Sequence, residues 1–475
     1  MILTTAIVIG IIALGVLGMS GRRSTTMSDW TVSGRGFARW TSWFLQAGDS
    51  LTTFSFLGLA GIAFGGGVVG VFALAYLSLS AIGLYFVGPR MRQLGAERGY
   101  LTQADFFADR FQNKALGKVT ALVGAVFLLP YLQLQITGLG LIVELATGSA
   151  AGRGLSMVVA SALVVIFVVW SGIRGVARVA VVKDVLMVAA LLIVLGGAVF
   201  GIAGIPEAFA HIHSVGPQLL DLNQPGWDKT FFLTAVIVTS IGAGLNTFPH
   251  LWPPVLAAKT GEVLRSNYKW LALYQLALFA PIFVGLAATQ KLPSDTTGNH
   301  VLLETATATL PSWLVAVVAI AGASAAMVPA AAIAMGISSL VSTNLVTVRE
   351  SLRLKVNTLF VVAAILCSLA FGLAGSDITS LLLLTYGGLT QMAPATAIAL
   401  RKKVTVGAVP VLLGLVVGVA GVAWITFFEV PIGSWDSGLI ALGPNLLVLV
   451  VAEAVRRRTR GAAAVSVRDA VGAEA

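Results

Sequence analysis

Long apolar runs alternate with short polar segments along almost the whole chain. A helix that crosses the hydrocarbon core of a bilayer needs about 20 apolar residues, and runs of this length recur between clusters of charged, Pro and Gly residues. The pattern predicts thirteen membrane-spanning helices, at residues 2–20, 41–66, 68–89, 116–146, 154–173, 177–204, 230–257, 266–289, 313–344, 356–374, 378–400, 404–428 and 438–455. We therefore predict a single all-α polytopic membrane domain.

Composition excludes a water-soluble fold. Of the 475 residues, 57% are hydrophobic and 11% are charged, whereas soluble domains carry about 25% charged residues. The single cysteine, Cys367, leaves neither a disulfide framework nor a cysteine metal cluster. The net charge of +10 comes from short clusters between apolar runs. Such clusters indicate membrane topology and not a surface that binds nucleic acid.

The basic residues also predict the orientation of the chain. Cytoplasmic loops are enriched in Lys and Arg. If the N-terminus is outside, all of the 30 Lys and Arg residues lie in cytoplasmic segments except Arg153, Lys229 and Lys291. We therefore expect a multi-pass protein of the cell membrane, with the N-terminus outside and a cytoplasmic tail at residues 456–475.

Two predicted spans contain residues that interrupt helices at membrane depth. The second carries Gly48-Asp49-Ser50, and the seventh carries Asn246-Thr247-Phe248-Pro249. Unwound backbone in the hydrocarbon layer is tolerated only where it is buried in protein or lines a cavity. Each interruption begins a set of five spans, at residues 41–204 and 230–400, and five is odd, so the second set is inverted. This arrangement indicates a secondary transporter whose half-helix N-termini bind an anionic solute, with accessory helices at 2–20 and 404–455.

Ionisable side chains inside the spans mark candidate ion sites, because each costs at least ~2.5 kcal/mol to insert. Asp49, at the first interruption, fits either ion coupling or a cap that accepts an N–H of the next half-helix. His250, at the second, fits either a proton relay or a donor to a freed carbonyl. Lys183 and Asp184 fit either a salt bridge or an ion exit path.

Several short motifs occur together in an order and at spacings that are typical of one family. They are Trp30-Thr31-Val32-Ser33-Gly34-Arg35-Gly36, Ala47-Gly48-Asp49 with Thr52-Thr53-Phe54, Thr102-Gln103-Ala104-Asp105-Phe106-Phe107, Pro130-Tyr131-Leu132-Gln133-Leu134-Gln135, Lys183-Asp184, Pro249-His250, Pro329-Ala330-Ala331, and Gly387-Gly388 with Gln391. With them the chain resembles the sodium:solute symporter family over about residues 28–400, and within it the monocarboxylate permease subgroup. The resemblance implies a leucine-transporter-type 5+5 inverted repeat with two broken helices and a single solute site between them.

The resemblance also assigns candidate residues. By position on the resembling helices, the solute is expected against Thr52, Phe56, Tyr131, Gln135, Phe248, Tyr386 and Gln391. The candidates for ion coupling are Gly48, Asp49, Leu51, Asp184, His250, Ala331, Ser338 and Ser339. No Arg or Lys is visible near the interruptions to pair with a second negative charge. We therefore predict a small monocarboxylate such as pyruvate, lactate or acetate, or a short amino acid.

Sodium coupling is implied by the resemblance, but one motif departs from the family. Members hold Na⁺ with main-chain carbonyls at positions that match Gly48 and Leu51, and with a carbonyl and two hydroxyls of the eighth core helix. Alignment on Pro329-Ala330-Ala331 puts the carbonyl at Ala331 and the hydroxyl positions at Ala334 and Met335, whose side chains carry no oxygen for a hard cation. A second register puts Ser338 and Ser339 there instead. Sodium coupling, proton coupling through Asp49 or His250, and facilitated diffusion therefore stay open.

The predicted function is secondary active transport of a small organic solute by alternating access, with a coupling ion and no other cofactor. No phosphate-binding Gly-Lys-Ser/Thr loop occurs, and the four histidines do not suggest a catalytic or metal constellation, so we expect no enzymatic activity. The expected partners are the solute, the coupling ion and the lipid bilayer, and the sequence assigns no oligomeric state. The alternatives are a proton-coupled or facilitative carrier of another small solute, and a membrane solute sensor.

Overall fold

The computed structural model describes residues 2–20, 24–147, 152–224, 226–374 and 378–472, and these residues are almost entirely helical. The helices are α1 (Ile2–Met19), α2 (Met27–Val32), α3 (Arg39–Gly48), α4 (Leu59–Gly66), α5 (Val71–Arg98), α6 (Gln103–Arg110), α7 (Lys114–Thr147), α8 (Gly152–Gly201), α9 (Ile205–Val215), α10 (Lys229–Gly244), α11 (Trp252–Ala257), α12 (Gly261–Tyr274), α13 (Phe279–Ala288), α14 (Val301–Thr309), α15 (Ser312–Leu340), α16 (Glu350–Leu373), α17 (Ile378–Thr390), α18 (Ala393–Ala399), α19 (Ala408–Phe427) and α20 (Ser437–Gly472). Arg22, Arg23 and the end of the predicted tail, residues 473–475, lie outside the described ranges.

Shorter elements join these helices. Single 3-10 turns lie at Ser33–Arg35, Gly67–Gly70, Pro217–Leu220, Pro249–Leu251, Gln275–Leu278 and Gly298–His300, and π turns at Phe54–Gly58 and Val341–Leu345. Two strands of two residues each, β1 (Asn223–Gln224) and β2 (Trp227–Asp228), pair antiparallel with Asn223 opposite Asp228.

Every predicted span overlaps one or more apolar helices. Within the described ranges, eight helices are long and apolar enough to cross a membrane, or up to nine if the bent pair Lys229–Gly244 and Pro249–Ala257 forms one span. One of the eight, Phe54–Arg98, has 45 residues, about 68 Å if it were straight at 1.5 Å per residue, which is twice the thickness of a bilayer core. It covers parts of two predicted spans, and Gly67, with a φ of 67°, lies between them. The total of thirteen spans stays a prediction.

The structure confirms both predicted helix interruptions. The first helix stops at Gly48, and helical structure resumes with the π turn at Phe54. The second interruption bends the chain by 43° between Gly244 and Pro249. Asn246, within it, has a φ of 55°, a left-handed conformation that Asn adopts more readily than most residues. Apart from Asp49 and Leu245, which are half-buried, both segments are buried, as unwound backbone at membrane depth must be unless it lines a cavity.

One predicted span is interrupted in the structure. The predicted span 378–400 is divided between α17 and α18, because Pro394, in the first turn of α18, lacks the N–H that a continuous helix needs. The predicted spans 154–173 and 177–204 follow each other within α8, which departs from helical geometry at Gly172, with a φ of 52°, close to the predicted boundary between them. The last apolar span, at Ser437–Thr459, agrees with the predicted span 438–455, and its helix continues to Gly472.

The centre of the molecule is formed by α7 and α15, which are the most buried of the long apolar helices. α15 packs against α7 and α8, whereas α19 and α20 pack mainly against each other and leave most of their surface exposed. Small residues allow close approach of backbones, as is usual in membrane helices. A Cβ atom added to Gly83 of α5 would lie 2.7 Å from the Cα atom of Gly244, the last residue of α10.

The two broken helices are tied together at one end. The Phe37 amide, before α3, donates to the Ala257 carbonyl at 3.0 Å, and the Lys259 amide donates to the Phe37 carbonyl at 2.9 Å. The Arg35 guanidinium donates to the Tyr100 carbonyl at 2.6 Å. The two bonds of Phe37 fix the start of the first broken helix against the end of the second, and so position the two interruptions relative to each other.

Candidate functional site

A small cavity lies where the two helix interruptions meet. Its volume is about 60 Å³, and helices α3, α5, α7, α10, α11, α12 and α17 contribute to its wall together with both interruptions. It is lined by Gln46, Asp49, Ser50, Leu77, Ser80, Ala81, Leu84, Tyr131, Ala243, Phe248, His250, Leu251, Pro254, Tyr268, Leu271 and Tyr386. Neither Lys nor Arg is among these residues, which are apolar, aromatic and polar side chains together with one acidic residue, Asp49.

Aromatic rings form one side of the cavity. The ring centroid of Phe248 lies 4.4 Å from that of Tyr386 and 5.8 Å from that of His250. Tyr131 meets His250 edge to face at 5.4 Å, and Tyr386 meets Tyr76 in the same way at 5.4 Å. These distances are those of favourable aromatic pairs, and the wall presents both ring faces and polar tips.

Three polar atoms of lining residues have no hydrogen-bond partner among the described residues. They are Gln46 Oε1, Asp49 Oδ2 and His250 Nδ1. A buried polar atom without a partner costs about 1–3 kcal/mol, so a ligand that bonds to it recovers that energy. Two of the three atoms are oxygens, and an ionised carboxylate or an amide oxygen accepts hydrogen bonds only. The cavity therefore offers places for a ligand that carries hydrogen-bond donors.

Two helix N-termini face the same region. The half-helix that follows the first interruption begins near Thr53, and the one after the second begins at Pro249, which has no N–H to leave unpaired. Helix N-termini carry a partial positive charge and unpaired N–H groups, which attract anions. The Thr53 amide donates to Gln135 Oε1 at 3.4 Å, so Gln135 and not Asp49 caps this end.

The structure brings five of the seven predicted solute residues to the cavity or its edge. Tyr131, Phe248 and Tyr386 line it. Thr52 lies within hydrogen-bonding reach of the Tyr131 hydroxyl, and Gln135 caps the adjacent half-helix.

Phe56 and Gln391 lie elsewhere. Phe56 packs against α15, where a Cβ atom added to Gly322 would lie 2.7 Å from its ring. The Gln391 amide donates to the Gly438 carbonyl at 2.8 Å and its Oε1 accepts from Asn445 at 3.1 Å, so its side chain joins α17 to α20. Each contact is made to a distant part of the chain.

Several lining residues are not among those predicted from the sequence. Gln46 lies one turn before Asp49 on α3, so helical spacing from the interruption could have found it. Ser80 and Tyr268 lie on α5 and α12 within ordinary apolar helices. Nothing in their local sequence distinguishes them, because only packing brings these helices to the interruptions.

The buried pair Lys183 and Asp184 lies beside the first interruption. Lys183 Nζ is 3.1 Å from Asp184 Oδ1, and both side chains are buried, so the structure shows the salt bridge. The same ammonium donates to the Gly48 carbonyl at 2.7 Å. Gly48 is the last residue of α3, where carbonyls lack helical partners and the helix dipole is negative.

The candidate ion residues on α15 spread along more than two turns of the helix. The Val328 side chain is beside Gly48, since a Cβ atom there would lie 3.5 Å from Val328 Cγ1. Ala331 follows at the next turn. Ser338 is ten residues beyond Val328, about 15 Å along the helix axis, where its hydroxyl donates to the Met335 carbonyl at 3.2 Å. Ser339 is also buried at that level, near the segment of α15 that packs on His250.

A sequence model of the sodium:solute symporter family matches residues 30–400 of the chain. This chain belongs to that family. Its relatives include the uncharacterized symporter YhjB of Bacillus subtilis (strain 168), which is 31% identical over 96% of this chain and 98% of that protein. The monocarboxylate transport permease protein of Rhizobium johnstonii is 27% identical over 70% of this chain and 67% of that protein.

Solved structures with this fold include two transporters. The substrate-bound outward-open state of a Na⁺-coupled sialic acid symporter matches 96% of this symporter and 97% of its own chain, with a TM-score of 0.79 at 15% identity. The nucleobase-cation-symport-1 family transporter MHP1, in a closed conformation, matches 92% of this symporter and 96% of its own chain, with a TM-score of 0.56 at 16% identity. At these identities the comparison shows a shared fold.

Family membership supports secondary transport of a solute by an integral membrane protein, and not an enzymatic reaction. It also supports Na⁺ as the coupling ion. The helix interruptions and the cavity between them are thus the features of this symporter in which a solute site is expected.

Proposed function

We propose that this symporter moves a small monocarboxylate across the cell membrane by alternating access of the two five-helix repeats, residues 41–204 and 230–400. The N-terminus is outside and the C-terminus is cytoplasmic in this proposal. The observation that carries it is the small cavity at the junction of the two helix interruptions, between Asp49 and His250. In secondary transporters, a site at such a junction binds the solute while the repeats move around it.

The size of the cavity favours a solute of a few heavy atoms. The cavity volume of about 60 Å³ is small for a ligand site, since ligand pockets are commonly about 300–1,000 Å³. Acetate, pyruvate and lactate have only a few heavy atoms, whereas a hexose or an aromatic acid does not fit without expansion of the site.

The helix dipoles at the cavity favour one negative group on the solute. The half-helix that begins near Thr53 and the one that begins at Pro249 both offer the positive end of a helix dipole. A second carboxylate would need a basic side chain, and the lining residues include none. The solute would therefore carry one carboxylate, held against main-chain N–H groups.

A short amino acid is the second candidate. The unpaired oxygens of Gln46 and Asp49 accept hydrogen bonds, and they lie on the same cavity as the helix N-termini. An ammonium group, or the hydroxyl of lactate, supplies the donors that acetate lacks. These oxygens favour a solute that carries a donor next to its carboxylate.

Competition for uptake tests the proposal. We expect purified protein in lipid vesicles to take up labelled lactate, and we expect unlabelled acetate, pyruvate and short amino acids to compete while succinate and glucose do not. Ala81→Val adds two methyl groups to the cavity wall and should lower lactate uptake at least fivefold relative to acetate uptake. Ile82→Val, at the neighbouring exposed position, should leave this ratio unchanged. Uptake of glucose that carboxylates fail to inhibit would overturn the proposal.

A further inference from the structure

A lysine ammonium occupies the end of α3 where the family resemblance implies a sodium ligand. Lys183 Nζ donates to the Gly48 carbonyl at 2.7 Å. α8 brings it there because Ala180, about one turn before Lys183, packs directly on Gly48, with Ala180 Cβ 3.3 Å from the position of an added Cβ. Lys183 is fully buried, so this contact is part of the packed core between α3 and α8.

On the α15 side of this junction, no side chain supplies an oxygen ligand for a hard cation. Val328 of α15 is the residue beside Gly48, and the next positions on that face, Ala331, Ala334 and Met335, have no side-chain oxygen. Sodium, like calcium, is a hard cation that requires oxygen ligands. Ser338 and Ser339 lie about 15 Å further along the helix, too far to complete a site at Gly48. While Lys183 engages the Gly48 carbonyl and Asp184, the oxygens that remain at this junction therefore do not fit a sodium ion.

The lysine satisfies the electrostatic requirement that a sodium ion would satisfy at this place. It brings one positive charge to the negative end of the α3 dipole, and Asp184 Oδ1, at 3.1 Å, balances that charge. An ammonium is a compact point charge with three donors. Two of them are used by the Gly48 carbonyl and the Asp184 carboxylate.

We infer that Lys183 is a built-in cation that takes the place of sodium at the junction of α3, α8 and α15, so that solute movement does not require Na⁺ at this junction. Family membership favours Na⁺ as the coupling ion, but at this junction the Lys183 ammonium takes the place of the ion. The inference rests on the proposed function, because solute exchange is one of its two readouts.

Exchange without ion gradients is the first measurement. Purified protein in vesicles loaded with unlabelled lactate should exchange it for external labelled lactate at rates that agree within twofold in sodium chloride and in choline chloride. In choline chloride, the exchange rate of Lys183→Ala should be at least tenfold below that of the wild type. In sodium chloride, the rate of this variant should be at least threefold higher than in choline chloride, because the Gly48 carbonyl and Asp184 are then free to bind the ion. Arg178→Ala, which removes a basic residue from the same helix, should remain independent of sodium.

Thermal stability of the purified protein in detergent is the second measurement, and it needs no transport. Sodium chloride should not raise the melting temperature of the wild type above its value in choline chloride, but should raise that of Lys183→Ala by several degrees. Wild-type exchange that is saturably accelerated more than tenfold by Na⁺ would overturn the inference. So would a Lys183→Ala variant that is indifferent to sodium in both measurements. No lactate exchange in any salt, with the expected melting temperatures, would refute the proposed function and leave the inference standing.

Discussion

Replacement of Lys183 by alanine is expected to lower the free energy of unfolding by about 3–5 kcal/mol in sodium-free buffer. The change removes the partner of a carboxylate that is almost fully buried, since the Asp184 side chain is 4% exposed. It also leaves the Gly48 carbonyl without its donor. Desolvation of an unpaired charge costs more than the pair itself contributes, so loss of one partner is worse than loss of both. Chemical or thermal unfolding of the purified protein in detergent, followed by fluorescence, measures the effect.

The double variant Lys183→Ala with Asp184→Ala is the matched control for that prediction. With both charges removed, we expect at least half of the lost stability to return. If the single and double variants were equally unstable, the loss would reflect the packing of the lysine chain and not its charge, and the electrostatic account of this pair would be wrong.

Gly138→Ala is expected to reduce solute uptake by at least tenfold. Gly138 of α7 lies against the start of the half-helix after the first interruption, and an added Cβ would be 2.0 Å from Thr53 Cγ2. Thr53 is buried and its branched side chain has few alternative rotamers, so the half-helix must shift. Overpacking of this kind costs about 1–3 kcal/mol, and about 1.4 kcal/mol on the rate-limiting barrier is a tenfold change in rate. The initial rate of labelled lactate uptake per mole of reconstituted protein is the measurement.

Two further variants separate this clash from a general effect of substitution. Thr53→Ser removes the methyl group that the new Cβ meets, so Gly138→Ala with Thr53→Ser should recover most of the uptake. Gly65→Ala, at a glycine with open space around it, should behave as the wild type. If Thr53→Ser restores no uptake, the loss of uptake in Gly138→Ala does not come from displacement of this half-helix.

The positions of the interruptions could be predicted because their signal is local. Gly, Asp, Asn and Pro stand out within apolar runs, and backbone that leaves a helix inside a membrane must be buried. Asp49 and His250 were found for this reason, and both line the cavity. Tyr131, Phe248 and Tyr386 were assigned only through their positions on resembling helices, and the same helices bring them together in the structure.

The other features of the site depend on contacts between segments that are distant in the sequence. Gln391 was grouped with the solute residues, but its amide is bonded to α20, with Asn445 lying 54 residues away in the chain. Lys183 and Asp184 were predicted as a pair, yet the bond from Lys183 to Gly48 spans 135 residues. A pattern of local apolar periodicity carries no information about such partners. Ser80 and Tyr268 were missed for the same reason.

Protection of a cysteine in the cavity is the test of a solute site at the junction of the two interruptions. Cys367 is the only cysteine in the sequence, so a Cys367→Ser chain provides a background for Ser50→Cys, which places a thiol of similar size on the cavity wall. Gln218→Cys, at an exposed position of the 3-10 turn Pro217–Leu220, is the control. We predict that saturating lactate slows the reaction of a small methanethiosulfonate reagent with the first variant at least fivefold and leaves the second unchanged. If the Ser50→Cys variant transports lactate but lactate does not slow the labelling of its cysteine, the result would contradict a solute site at the junction of the two interruptions.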